Sequence, residues 1–208
     1  MAILAFLAKV VGISLSGVMA PGPVTAVALA MGPRNRHAGA LIAIGHGIVE
    51  FPLIILITLG MSTLIRLTGV RIAIGIAGGG FLWMMAVGMI QSVSAGNSQA
   101  TGVATRGPIT TGIVLSAGNP YFLFWWATIG LALATDARAF GIWAFAVFAV
   151  VHWLCDLVWL WALSWAGHKG SVLLGPVVQR AVLRVCGLAL LLFGLLFITD
   201  ASQKIAAL

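Results

Sequence analysis

Charge is what this sequence lacks most. Only 7% of its 208 residues are charged, against 62% that are hydrophobic. A soluble domain carries roughly 25% charged residues, so this chain could not cover its surface in water. Acids are scarcest: Glu50, Asp136, Asp156 and Asp200 are the whole set. Cysteine is nearly missing. Cys155 and Cys186 form no C-x-x-C, which excludes a local redox motif and leaves two small buried residues. No phosphate-binding glycine loop, no Cys-rich zinc pattern and no Ser/His/Asp set stands out. An enzyme is therefore not expected, and neither is a cofactor. Eleven Lys and Arg give a net charge of +7. They are scattered singly between apolar runs, as interfacial charges are, and no nucleic-acid partner is expected.

What the chain has in quantity is apolar run. At about 20 residues per crossing, it reads as an all-α membrane protein with six transmembrane helices. These are Ile3 to Met31, Ala38 to Leu59, Val70 to Ile90, Pro108 to Ala134, Ala139 to Ala166 and Val178 to Thr199. Gly167 to Pro176 reads as a turn. The polar stretch 91–106 reads as a flexible loop. The whole of 1–208 makes one transmembrane domain, with repeat one at about 1–92 and repeat two at about 107–208. Pro21 directly follows Ala20 and the apolar run continues to Met31, so the first segment reads as a retained helix rather than a cleaved signal. Gly75, Gly78, Gly79, Gly80 and Gly88 let neighbouring helices approach closely, and such small-residue faces allow a homodimer. Trp125, Trp126, Trp143, Trp153, Trp159, Trp161 and Trp165 read as lipid-facing or interfacial anchors. Six basic residues fall on one side and five on the other, so charge does not orient the chain.

Two of these helices are interrupted. Pro21-Gly22-Pro23 breaks the first, and Gly118-Asn119-Pro120 breaks the fourth. Proline removes a backbone donor and clashes with the preceding turn. In lipid, such a break is tolerated only where the freed groups face protein, water or a ligand. Each broken helix is followed by one carrying a histidine and an acid four residues later: His46 with Glu50, then His152 with Asp156. Three helices per half is an odd number, so the halves cross in opposite senses. This predicts two inverted-topology three-helix repeats.

The i, i+4 spacing puts each pair on one helix face. Glu50 lies about 18 Å into its helix, near the midplane of a core about 30 Å thick. An acid at that depth is a functional candidate by default, and histidine exchanges protons near neutral pH. Pro21, Gly22, Pro23, His46, Glu50, Asn119, Pro120, His152 and Asp156 are therefore the candidate substrate-binding or proton-coupling residues. The N-terminal side of a helix break attracts a carboxylate and the carbonyl side a cation. A zwitterion presents both groups, and an amino acid fits such a site. Four converging imidazoles and carboxylates equally suit a cation.

Ala20-Pro21-Gly22-Pro23 followed by Arg36-His37-Ala38-Gly39 resembles the N-terminal signature of the LysE/RhtB-type amino-acid exporters. Gly79-Gly80-Phe81-Leu82-Trp83 with Gly88 resembles the third helix of that family. Gly118-Asn119-Pro120 resembles its Asn-Pro motif, and Arg184-Val185-Cys186-Gly187 through Gly194 its last helix. The resemblance spans nearly the whole chain. It implies a multi-pass secondary exporter of the cell inner membrane, moving an amino acid or similar solute by proton antiport, with lipid, substrate and protons as its partners. The wider superfamily adds exporters of divalent metals and membrane thiol-disulfide conduits. This chain departs from the pattern in its second helix, where the family usually carries Gly-Asp and this sequence has His46 and Glu50. That departure raises metal export as the alternative, with His46, Glu50, His152 and Asp156 as ligands. An electron conduit through Cys155 and Cys186 is the remote one.

Overall fold

A computed structural model describes residues 2–19, 22–61, 64, 67–94 and 107–206. Every regular element among them is helical: α1 (Ala2–Val18), α2 (Pro23–Met31), α3 (Ala38–Leu56), α4 (Thr68–Ser94), α5 (Pro108–Ala117), α6 (Pro120–Trp125), α7 (Leu131–Ala139) and α8 (Ile142–Ala206). Short π-helical turns follow α3 at Ile57–Met61 and α6 at Trp126–Gly130. Pro21 and most of the expected loop, 95–106, lie outside the described residues.

Among the described residues, four helical stretches are long and apolar enough to cross a membrane: Ala38–Gly60, Thr68–Gly88, Ile142–Gly170 and Arg184–Ala206. The pair Ile3–Val18 and Pro23–Met31 makes a fifth if its 77° bend is counted as one broken span. The bend has a local cause. Gly22 is fully extended (φ −157°, ψ 179°), and Pro23 opens α2, where its missing N–H would be unpaired in any case. The second break is built the same way. Gly118 ends α5, Asn119 is extended, and Pro120 opens α6.

Several boundaries differ from the sequence reading. Gln91 to Ser94 continue α4 rather than opening a loop. The fourth segment continues to Ala139, and the chain turns at Gly141 instead, whose φ of +104° only glycine adopts easily. Gly167 to Pro176 lie inside the helical run of α8 rather than in a turn.

The two spans within α8 serve different neighbours. The first runs antiparallel to α3: Gly39 abuts the Leu160 carbonyl, and Gly47 abuts the Trp153 ring. The second runs antiparallel to α4, with Gly75 against Ala201 and Gly187 against Ile90. Helices α3 and α5 also approach closely, because Gly45 faces the Ile109 carbonyl and Gly112 faces the Ile42 carbonyl. Two apolar clusters result. One gathers Val27, Ile42, Leu115, Leu160 and Leu190; the other gathers Val10, Ile54, Trp126 and Phe148. In lipid this association is driven by close packing rather than by the hydrophobic effect.

Candidate functional site

Where the two clusters meet, a cavity of about 80 Å³ is lined by residues from both breaks and from the helices that follow them. Gly22, Val24 and Thr25 come from the first break, and Asn119 from the second. His46 and Glu50 come from α3, and His152 and Asp156 from the first span of α8. The four titratable side chains are buried, Glu50 completely.

They form one cluster rather than two separate pairs. Glu50 Oε1 lies 3.2 Å from His46 Nε2 on its own helix and 3.2 Å from His152 Nε2 on the other. Asp156 lies farther off, with Oδ1 3.8 Å from His46 Nε2 and Oδ2 3.6 Å from His152 Nε2. Each imidazole thus bridges both acids. Two acids facing two imidazoles can be neutral overall, as ion pairs or as uncharged hydrogen-bonded groups, which lowers the cost of holding four such groups away from water. One oxygen of each acid, Glu50 Oε2 and Asp156 Oδ2, is buried without a hydrogen bond.

Three residues that the sequence reading did not place at the site complete the cluster. The Trp126 indole N–H donates to Glu50 Oε1 at 3.3 Å. His46 Nδ1 lies 2.6 Å from Ser116 Oγ, and His152 Nδ1 lies 2.8 Å from Ser14 Oγ. Each histidine is also packed among aromatic rings. Trp125 stacks on His152 at 5.0 Å, Trp126 meets the same ring edge-on at 4.9 Å, and Phe122 meets His46 edge-on at 4.7 Å.

The reading of the tryptophans as anchors therefore needs correction. Trp143, Trp161 and Trp165 are exposed, but Trp125 and Trp126 are buried beside the cluster. The π-helical turn explains the placement of Trp126. It starts at that residue, and a Cβ at Gly130 would run into the Trp126 ring. Such turns recur at functional sites. Trp126→Phe keeps an aromatic ring but removes the N–H donor together with the pyrrole half of the indole. It is expected to cost about 1.5–3 kcal/mol, as loss of a hydrogen bond to a charged group does, while exposed Trp143→Phe is expected to be neutral. Thermal unfolding of both variants in detergent checks this.

The remaining expected site residues fall nearby with narrower roles. Asn119 lines the cavity, but its side-chain oxygen is taken: it accepts from Tyr121 N–H at 3.1 Å and caps α6. Pro23 and Pro120 are buried at the starts of α2 and α6, and Gly22 and Asn119 reach the cavity in their place. For a metal, His46, Glu50 and Asp156 each offer one ligand atom, all within 4.8 Å of one another. Neither cysteine lines the cavity, and Cys186 is packed among Leu82, Ala86 and Leu190.

A bundle of apolar helices enclosing a charged, half-broken centre defines a multi-pass membrane translocator. The chain belongs to the LysE type translocator family, whose model matches residues 15–201. No curated protein and no solved structure matches it.

Proposed function

We propose that this translocator exports an amino acid or a similar small zwitterion from the cytoplasm across the inner membrane, in exchange for protons. One observation carries the reading: a single cavity touches both helix breaks and all four buried titratable groups. A substrate carboxylate would sit against the first turn of α2, the positive end of that helix. A substrate ammonium would sit against Glu50 Oε2 and Asp156 Oδ2, the two buried carboxylate oxygens without hydrogen bonds. A proton and an ammonium then compete for the same carboxylates, which is the elementary requirement for antiport. On this reading the chain is one domain of two inverted halves, and the segmented stretch from α5 to α7 makes the sixth crossing.

A second reading is export of a divalent cation, supported by the compact set His46, Glu50 and Asp156. Imidazole and carboxylate together suit transition metals. Liposomes holding the purified protein and a trapped pH dye separate the two. External amino acids are expected to change the dye signal, Mn²⁺, Zn²⁺ and Cd²⁺ are not, and Asp156→Asn is expected to abolish the response. A response to the metals alone would establish the second reading. An undiminished amino-acid response in Asp156→Asn would remove the carboxylate from the mechanism.

A further inference from the structure

The two serines differ from the rest of the cluster, because each belongs to one half of the chain and holds a histidine of the other. Ser116 lies in α5, at the end of the helix piece before the second break, and contacts His46 of α3. Ser14 lies in α1, before the first break, and contacts His152 of α8. Both serines are completely buried. A serine in an apolar helix commonly turns its hydroxyl back on its own helix. Ser116 does so while also serving the histidine.

The direction of that second contact follows from counting protons. Ser116 donates its single hydroxyl proton to the Gly112 carbonyl at 2.6 Å. A carbonyl can only accept, so Ser116 Oγ has nothing left to donate. At 2.6 Å it must accept from His46, and His46 Nδ1 carries a hydrogen. The bare or titrating nitrogen is then Nε2, which lies toward Glu50 and Asp156. Phe122, which meets the ring edge-on, offers no hydrogen-bonding group. At His152 the placement repeats, with Ser14 at Nδ1, both acids at Nε2, and Trp125 and Trp126 around the ring, while the proton count itself belongs to His46.

We propose that Ser14 and Ser116 are the positioning residues of the central site, each fixing an imidazole of the opposite half through Nδ1 so that Nε2 is presented to the acids. Each serine rides on a helix piece that ends at a break. Any movement of that piece relative to the opposite half stretches the link and frees one histidine to change tautomer. The serines thereby couple the position of the broken helices to which ring nitrogen carries the hydrogen. The inference rests on the proposed working role of the four titratable groups.

The test reads the tautomer directly. Full-length protein labelled with ¹⁵N-histidine is placed in lipid nanodiscs, and spectra are taken with the imidazoles neutral. His46→Gln and His152→Gln variants assign the signals. In the wild type, Nδ1 of His46 is expected to be pyrrole-type and Nε2 pyridine-type. In Ser116→Ala the two are expected to exchange character, since free imidazole prefers hydrogen on Nε2. Ser116→Thr restores the hydroxyl and is expected to restore the wild-type pattern. At His152, Ser14→Ala is expected to shift the Nδ1 signal, and Ser14→Thr to restore it. Export in each alanine variant is expected to fall roughly five- to tenfold, the loss of one buried hydrogen bond, and to recover in the threonine variant.

An Nδ1 that stays pyrrole-type in Ser116→Ala, or a threonine variant that behaves like alanine, would overturn the inference. The spectra do not depend on what is transported. A protein that moves no amino acid but shows the tautomer exchange rejects the proposed function and keeps this inference. Unchanged spectra with full export do the reverse.

Discussion

Replacing Glu50 with glutamine is expected to lower export by about 100-fold or more, the scale on which loss of a proton-carrying group acts. Glu50 is the centre of the cluster. Its Oε1 faces both histidine Nε2 atoms and the Trp126 N–H at 3.2–3.3 Å, whereas Asp156 stands farther from both imidazoles. Glutamine matches the shape and its oxygen can still accept these hydrogen bonds, so the helices are expected to stay in place. The amide can neither release a proton nor balance an imidazolium. Its NH₂ also falls where Glu50 Oε2 is held without a hydrogen bond. Glu50→Asp gives the complementary result: it keeps the charge but shortens the reach by one methylene, and is expected to retain part of the activity. Initial rates in proteoliposomes, beside elution profiles in detergent, check both. Full export by Glu50→Gln would place proton coupling elsewhere in the chain.

A large effect on stability is expected at Gly112. A Cβ there would be driven into the Ile42 carbonyl, and its counterpart at Gly45 into the Ile109 carbonyl. Backbone atoms of a hydrogen-bonded helix cannot step aside as a flexible side chain can, so α3 and α5 must separate. Gly112→Ala is expected to cost about 2–3 kcal/mol, the scale of overpacking in a tight core. The damage does not stop at packing, because the same contact carries Ser116 to His46. Gly12 and Gly80 are the controls. Both are helical with open space where a Cβ would go, and alanine there is expected to be neutral or to stabilise by up to about 1 kcal/mol. Thermal midpoints of the three alanine variants in detergent test the contrast. Equal midpoints would mean that α3 and α5 are not in close contact.

Much of the site can be read along the chain because its signals are local. Proline beside glycine or asparagine marks both breaks, and histidine four residues before an acid marks both faces. Acids are so scarce that Glu50 and Asp156 draw notice without further help. What escapes is whatever depends on register between distant segments. Ser14 and Ser116 are ordinary small residues of apolar helices until His152 and His46 are placed beside them, 138 and 70 positions away along the chain. Trp126 is one tryptophan among eight, and only the π-helical turn and Gly130 separate it from the exposed ones. The boundaries fail for a related reason. Thr135 to Ala139 lean polar and suggest a loop, yet Ala137, Arg138 and Ala139 are good helix formers. The chain turns only where Gly141 permits positive φ.

The crossed serine–histidine links also bear on how the protein is assembled in the membrane. Residues up to Ser94 and residues from Gly107 onward each bring a histidine whose hydroxyl partner lies in the other part. When the first part has entered the bilayer alone, His46 and Glu50 have each other but lack Ser116, His152 and Trp126. A half-satisfied polar pair in lipid is costly, so that intermediate is held together weakly until the second part arrives. Completion of the site is then the last step of assembly, and two fragments cut between residues 94 and 107 would have to find one another to make it.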